Sequence, residues 1–143
     1  ARLVMEQAIN TTNIFIDDMI KAENVDINNT ILLGFSQGTM LSLHLAPRRD
    51  TALAGVVGFS GRLLEPESLE EEVKSKMPIL LVHGDSDDVV PFESLADAAN
   101  NLTMNGFTVY SHVAKGVGHG ISPDGLGTAL QFMNNMLGFV ESD

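Results

Sequence analysis

Four short apolar runs, separated by stretches with helical periodicity, set the strongest limit on how this chain can fold. The runs cover residues 31–34, 54–60, 79–82 and 108–113. Around them, apolar residues recur every three to four positions, which is the period of an amphipathic helix. Strands that alternate with helices in this way predict a parallel sheet flanked by helices. We therefore expect a single α/β domain over residues 1–143.

Five segments carry the helical pattern. They cover residues 3–22, 37–46, 65–76 and 91–105, followed by a last helix that begins after Ser122. Ser122 suits the N-cap of that helix, and Gly106 suits a left-handed C-cap of the helix before it. The last helix is expected to bury the side chains of Leu126, Leu130, Met133, Leu137 and Val140. The apolar runs at 31–34 and 79–82 lack polar alternation, which predicts strands that are buried on both faces.

The composition argues against several classes of function. The chain has no cysteine, so it forms no disulfide, thiolate metal site or cysteine nucleophile. Its net charge of −11 argues against nucleic acid as a main partner. No apolar run approaches the ~20 residues of a membrane-spanning helix, so we expect no stable membrane insertion.

A G-x-S-x-G motif, residues 34–38, joins the first predicted strand to the helix that follows. A sharp strand-to-helix turn strains its central residue and exposes the hydroxyl of Ser36 above the sheet. The backbone N–H of Gln37, at the start of the helix, would point to where an oxyanion forms. In this context the motif predicts a nucleophilic serine. The alternative is a glycine-flanked serine in an ordinary turn.

A serine hydroxyl is a poor nucleophile without a base. Of the four histidines, His44 lies in a predicted helix, and His83 and His112 lie in predicted strands. His119 lies in a glycine-rich turn after the last strand, where flexible backbone can present the imidazole over the sheet edge. We therefore predict His119 as the base, which also fits the order serine, acid, histidine found in α/β-hydrolases.

The acid that orients this base is expected in the loop after the third strand. Asp85, Asp87 and Asp88 all lie there. Position alone does not choose among them, since aspartate side chains also cap their own turns, as we expect for Asp85 and Asp88.

Three stretches resemble the carboxylesterase/phospholipase family of α/β-hydrolases, which includes acyl-protein thioesterases. They are residues 31–38 around Ser36, residues 78–91 with an H-G-x-x-D pattern, and residues 118–122 around His119. The resemblance implies that Asp87 is the catalytic acid of a cytoplasmic serine hydrolase. The substrate it implies is a small-molecule or acyl-chain ester or thioester, without a metal or other cofactor. It also implies a tendency to form homodimers.

The sequence departs from this family in three ways. Thr39 stands where the family commonly has a smaller residue, and we expect it to narrow the floor of the site. Asp88 stands where the family usually has proline. Family members also carry upstream strands and an H-G-x-G loop that supplies a second oxyanion N–H, and this sequence has no such loop. We therefore expect the C-terminal part of an α/β-hydrolase fold, without its N-terminal strands.

Two residues are predicted from the same resemblance to line the acyl pocket, Leu63 and Val90. Apolar residues of this kind more often only pack the core. Two alternatives to a carboxylesterase or thioesterase stay open. One is a lysophospholipase, amidase or peptidase with the same triad, and the other is a non-catalytic fragment.

Overall fold

The protein, described here by a computed structural model over residues 2–139, alternates helices with strands. The helices are α1 (Arg2–Glu23), α2 (Gln37–Leu45), α3 (Leu69–Glu72), α4 (Glu93–Met104) and α5 (Pro123–Met136). The strands are β1 (Ile31–Phe35), β2 (Gly55–Phe59), β3 (Ile79–Gly84) and β4 (Val109–Ala114). None of the helices within this range combines the length and apolar character that crossing a membrane requires.

The strands form one parallel sheet in the order β1-β2-β3-β4. Phe35 pairs with Phe59, and Phe59 with Val82, so three neighbouring strands end close together at the same edge. The predicted α/β class, a parallel sheet flanked by helices, is confirmed. In such sheets the residues just beyond the carboxyl ends of the strands line the usual ligand-binding crevice.

Side chains of the two central strands alternate between two hydrophobic layers. Val56 and Leu81 pack on the face covered by α1, α2, α3 and α4, whereas Val57 and Leu80 pack on the other face against Phe132 of α5. Every residue of β2 and β3 is buried. The strand predicted at 79–82 is therefore buried on both faces, as its uninterrupted apolar run predicts.

The first strand does not follow this pattern, and the expectation that it is buried on both faces is wrong. β1 is an edge strand of the sheet. Leu33 is 47% exposed and Phe35 38% exposed. Both point to the face of α5, which packs mainly over β2, β3 and β4. An apolar run does not by itself show which strand will form an edge.

The predicted buried face of α5 is also wrong, except that Met133 packs against the core around Phe132. The residues that face the sheet are Gly125, Ala129 and Phe132. The predicted ones divide as follows: Leu126 and Leu130 are exposed, Met133 and Leu137 are half-buried, and Val140 lies outside the described residues. A Cβ on Gly125 would lie 3.0 Å from a methyl carbon of Val82, so close packing favours the small residues. The helix is rotated by about one residue, or about 100°, from the predicted orientation.

The helix α4 agrees better with the periodicity. Leu95, Ala98 and Leu102 of α4 are buried, and Gly106 has a φ of +89° after the helix end. Ser122 accepts a hydrogen bond from an N–H in the first turn of α5, as an N-cap does. The helix predicted at 65–76 is shorter than expected. Only α3 is α-helical there, because the N–H groups of residues 74 and 75 instead donate to the carbonyl of Pro47.

Candidate active site

Ser36 occupies the turn between β1 and α2 with φ 55° and ψ −112°. Residues other than glycine rarely adopt this pair of backbone angles, and holding one there costs about 1–3 kcal/mol of conformational free energy. The Ser36 N–H donates to the carbonyl of Phe59 at 2.8 Å, which ties the turn to β2. A Cβ on Gly34 would lie 2.5 Å from the carbonyl carbon of Gly38, so the first glycine permits the turn to close. A Cβ on Gly38 would meet nothing within 4 Å.

Thr39 lies beneath this turn and is 1% exposed. Its hydroxyl donates to the carbonyl of Phe59 at 2.8 Å. Cβ atoms on Gly58 and Gly61 would approach the Thr39 side chain to 2.6 and 2.5 Å. These two glycines therefore accommodate the threonine inside the protein. The expectation that Thr39 narrows the floor of the site is wrong, because the side chain is directed into the core.

His119 lies between Ser36 and Asp87. Its Nε2 is 3.1 Å from Ser36 Oγ, and its Nδ1 is 2.9 Å from Asp87 Oδ2. Because an ionised carboxylate only accepts hydrogen bonds, the proton of the neutral ring belongs on Nδ1. Nε2 is then free to accept the hydroxyl proton of Ser36. The structure thus brings together the three side chains that we predicted as nucleophile, base and acid.

The carboxylate of Asp87 is completely buried, with 0% of its side chain exposed. Its Oδ1 accepts the N–H groups of Val89 and Val90, each at 2.9 Å. Burial alone would raise the pKa of Asp87, but hydrogen bonds from His119, Val89 and Val90 together outweigh it and lower the pKa below the usual value. The group beside His119 therefore carries a negative charge at neutral pH.

The neighbouring aspartates have different surroundings. Asp85 is exposed, and its Oδ1 accepts the N–H of Gly116 at 2.8 Å. Asp85 thereby fastens the loop of Asp87 to the loop that leads to His119, rather than capping its own turn as expected. Asp88 is exposed. The aspartate that caps its own turn is Asp87, through Val89 and Val90.

Close packing reinforces the contact between these two loops. A Cβ on Gly84 would lie 2.1 Å from the carbonyl oxygen of Val117 and 2.5 Å from that of Gly118. No real side chain tolerates such distances, so the second residue of the H-G-x-x-D pattern must be glycine in this arrangement.

Sequence reasoning missed a contact of Phe35 with His119. The two ring centroids are 4.9 Å apart, with the planes inclined by 40°. Phe35 directly precedes Ser36, so its position in the motif could have indicated a role beside the nucleophile. The alternation of β1 turns its ring to the side on which His119 lies.

The other histidines belong to different contacts. His83 is 2% exposed, and its Nε2 lies 2.9 Å from the carbonyl oxygen of Val90. His112 on β4 lies 2.6 Å from a carboxylate oxygen of Asp124. The pKa of His44 is lowered mainly by burial and, to a smaller extent, by the positive charge of Arg48.

The predicted oxyanion and pocket residues are placed as follows. Gln37 is the first residue of α2, where backbone N–H groups lack intrahelical partners. Leu63 is half-buried and packs against the core, and Val90 is only 6% exposed. Val89, by contrast, is 64% exposed beside the acid. Within residues 2–139, no group of three or more His, Asp or Glu side chains is arranged to hold a metal ion.

A family model described as Phospholipase/Carboxylesterase matches residues 3–137. An acyl-protein thioesterase 1 homologue of Dictyostelium discoideum is 27% identical, over 93% of this chain and 60% of its own length. Acyl-protein thioesterase 1 of Debaryomyces hansenii is 30% identical, over 89% of this chain and 56% of its own length. The crystal structure of esterase PE8 is similar with a TM-score of 0.90 and 39% identity, over 93% of this chain and 62% of that one. The chain thus spans about 60% of the length of the proteins it matches.

Proposed function

The chain belongs to the phospholipase/carboxylesterase family of α/β-hydrolases, and we propose that it carries the catalytic residues of a serine hydrolase that cleaves carboxylic esters or thioesters. One observation supports this proposal above all others. It is the row of hydrogen bonds from Ser36 through His119 to Asp87, at 3.1 and 2.9 Å, beside a strained serine backbone.

The proposed reaction begins with attack of Ser36 Oγ on the carbonyl carbon of the substrate. His119 Nε2 takes the hydroxyl proton as the new C–O bond forms and then gives it to the leaving alcohol or thiol. The charged Asp87 holds His119 in the required tautomer and stabilises the imidazolium. Water, activated by the same Nε2, then releases the acid from the acyl-enzyme and restores Ser36.

We place the backbone N–H of Gln37 as an oxyanion donor. It stands at the start of α2, next to the nucleophile, where the helix dipole favours negative charge. A single donor of this kind contributes about 2.7–4 kcal/mol to stabilising the transition state.

For the substrate, the names of the relatives favour an ester or a thioester, and we propose a cytoplasmic setting as the family resemblance implies. Leu63 and Val90 remain the proposed walls of the acyl pocket. The low exposure of Val90 means that an acyl chain would contact mainly Leu63 and the exposed Val89. Replacing Leu63 with alanine is then expected to change the preference among acyl lengths more than the rate on an acetyl ester.

The test of the proposal is hydrolysis of a p-nitrophenyl ester, an acyl thioester and a p-nitroanilide by the wild-type protein and by Ser36→Ala. We expect turnover of the ester and the thioester, with the anilide much slower. Ser36→Ala should lower kcat by about 10³-fold or more, because the oxyanion donors alone supply only the residual rate.

Ser60→Ala is the matched control. Ser60 also follows a strand at this edge of the sheet, is 1% exposed, and has an Oγ without a hydrogen-bond partner among the described residues. Its variant should retain wild-type turnover. Undiminished turnover by pure, folded Ser36→Ala would overturn the proposal, and faster cleavage of the anilide would point to an amidase instead.

A further inference from the structure

His83, at the end of β3, is a buried histidine that the proposed mechanism does not use. Only 2% of the residue is exposed. Its Nε2 faces two oxygen atoms, the carbonyl of Val90 at 2.9 Å and Oδ2 of Asp87 at 3.3 Å. Both oxygens are acceptors, so Nε2 must carry a proton to avoid a buried repulsion. This N–H donates to the carbonyl of Val90, and its positive end lies close to the carboxylate of Asp87.

The same N–H lies beside the carboxylate of Asp87. Oδ1 of the carboxylate accepts the N–H groups of Val89 and Val90, and Oδ2 accepts Nδ1–H of His119. A carboxylate offers about four acceptor positions. Three of them are occupied by these N–H groups, and the Nε2–H of His83 lies 3.3 Å from Oδ2 of a group that has no exposed surface.

The ring itself is held firmly. His83 pairs with Val113 in the sheet, and the ring of Phe92 packs edge-on against the imidazole with centroids 6.0 Å apart. The donor therefore projects from a strand and not from the loop. By contrast, Asp87 lies in a turn whose conformation depends on its own side-chain contacts.

We propose that His83 is a positioning residue for the triad, which fixes the Asp87 carboxylate in the orientation that His119 requires. The inference rests on the proposed function. By donating to the Val90 carbonyl at 2.9 Å, with Asp87 Oδ2 only 3.3 Å away, His83 sets the closure of the 87–90 turn and favours the observed direction of Oδ2. Without the hydrogen bond of His83 to Val90, the 87–90 turn is less restrained, and the carboxylate is freer to rotate away from Nδ1 of His119.

Variants that keep or remove the N–H donor distinguish this positioning role from simple core packing. His83→Met fills a similar volume without a donor, whereas His83→Gln places an amide N–H near the position of Nε2. If His83→Met does not fold, His83→Asn serves in its place, because its shorter amide cannot reach the carbonyl of Val90. Phe92→Leu is the matched control, since it loosens the packing around the ring and leaves the N–H in place.

The experiment combines two measurements on the folded proteins. The first is the proton NMR resonance of the His119 Nδ1–H, which a hydrogen bond to a carboxylate shifts strongly downfield. The second is the rate at which a fluorophosphonate labels Ser36. In His83→Met we expect the resonance to move upfield or broaden and labelling to slow by about 10–100-fold, as a displaced catalytic group does. His83→Gln should restore most of both, and Phe92→Leu should leave both near the wild-type values.

The outcomes separate this inference from the proposed function. A resonance in His83→Met that matches the wild type, with equal labelling, would overturn the positioning role even if Ser36 reacts. Failure of His83→Gln to restore the resonance would likewise show that only packing matters. If the wild-type protein is not labelled but the resonance depends on the donor, the positioning role stands and the nucleophile is misassigned.

Discussion

At the residue scale, three aspartates within four positions have different contacts, and contact rather than proximity in sequence should decide their roles. Asp87 binds His119, Asp85 binds the loop at Gly116, and Asp88 is exposed. The pattern of residues left this choice open. Only the direction in which each side chain leaves the turn resolves it, and that direction depends on the local backbone.

We predict that Asp87→Asn lowers kcat/KM by about 10⁴-fold, because an amide favours the wrong histidine tautomer. Asp88→Asn should stay within about twofold of wild type, as exposed substitutions away from the chemistry do. Asp85→Asn should cause an intermediate loss of kcat/KM, because it weakens the hydrogen bond from the N–H of Gly116. Kinetics on one p-nitrophenyl ester give all three values. A loss larger in Asp88→Asn than in Asp87→Asn would show that the acid is misassigned.

The lowered pKa of Asp87 links this residue to stability in acid. A carboxylate whose pKa is lower in the folded state stabilises the protein fully above the unfolded pKa of about 3.9. That contribution disappears as the pH falls through the lower folded value. We therefore expect Asp87→Asn to lose less of its free energy of unfolding than wild type between about pH 5 and pH 2. Urea unfolding across this range measures it, and equal slopes would contradict the assigned shift.

At the element scale, the junction of β1, α2 and β2 holds the proposed nucleophile Ser36, and its packing depends on one threonine between two glycines. A Cβ on Gly58 would lie 2.6 Å from Cγ2 of Thr39 and no closer than 3.5 Å to other atoms. The methyl group of Thr39 is therefore the main obstacle to a side chain at position 58.

Gly58→Ala is predicted to destabilise the protein by about 1–3 kcal/mol through overpacking. Adding Thr39→Ser removes the methyl group and retains the hydroxyl that binds Phe59, so the double variant should recover most of this loss. Chemical denaturation of both single variants and the double variant gives the coupling energy. Gly127→Ala is the control, because a Cβ added there would meet nothing within 4 Å and Gly127 is exposed on α5. Additive losses at positions 39 and 58 would disprove the contact.

The same scale shows what periodicity can and cannot predict. The apolar residues of β3 and α4 are buried as their patterns predict, because neighbouring elements of the domain pack against them. Motif and chain order also led us to Ser36, His119 and the loop of Asp87, whose side chains lie together in the structure. Periodicity failed for β1 and α5. Exposure of Leu33 depends on the order of strands, and the orientation of α5 depends on how closely Gly125 approaches Val82.

At the scale of the whole molecule, net charge and an open sheet edge have opposite effects on association between copies of the chain. The chain carries a net charge of −11, which favours repulsion between copies. Within residues 2–139, β1 has no strand on its outer side, and its Leu33 is 47% exposed. Open edges with apolar side chains promote association between copies.

We expect self-association that strengthens with salt, because screening reduces the charge repulsion. Leu33→Lys should weaken it by adding a charge to the edge. Met104→Lys, at an 83% exposed position at the end of α4, adds the same charge elsewhere and should have less effect. Sedimentation equilibrium at two salt concentrations measures the difference. Equal weakening by both lysines would show that β1 is not the contact.

The central claim is that Ser36 is an activated nucleophile, and intact-mass spectrometry after treatment with a fluorophosphonate tests it most directly. Peptide mapping locates the adduct, and the His119→Ala variant shows whether activation depends on the base. We predict a single adduct, on Ser36, that forms at least about 100-fold more slowly in His119→Ala. A folded wild-type protein without an adduct, or with one on another residue, would contradict the proposed mechanism.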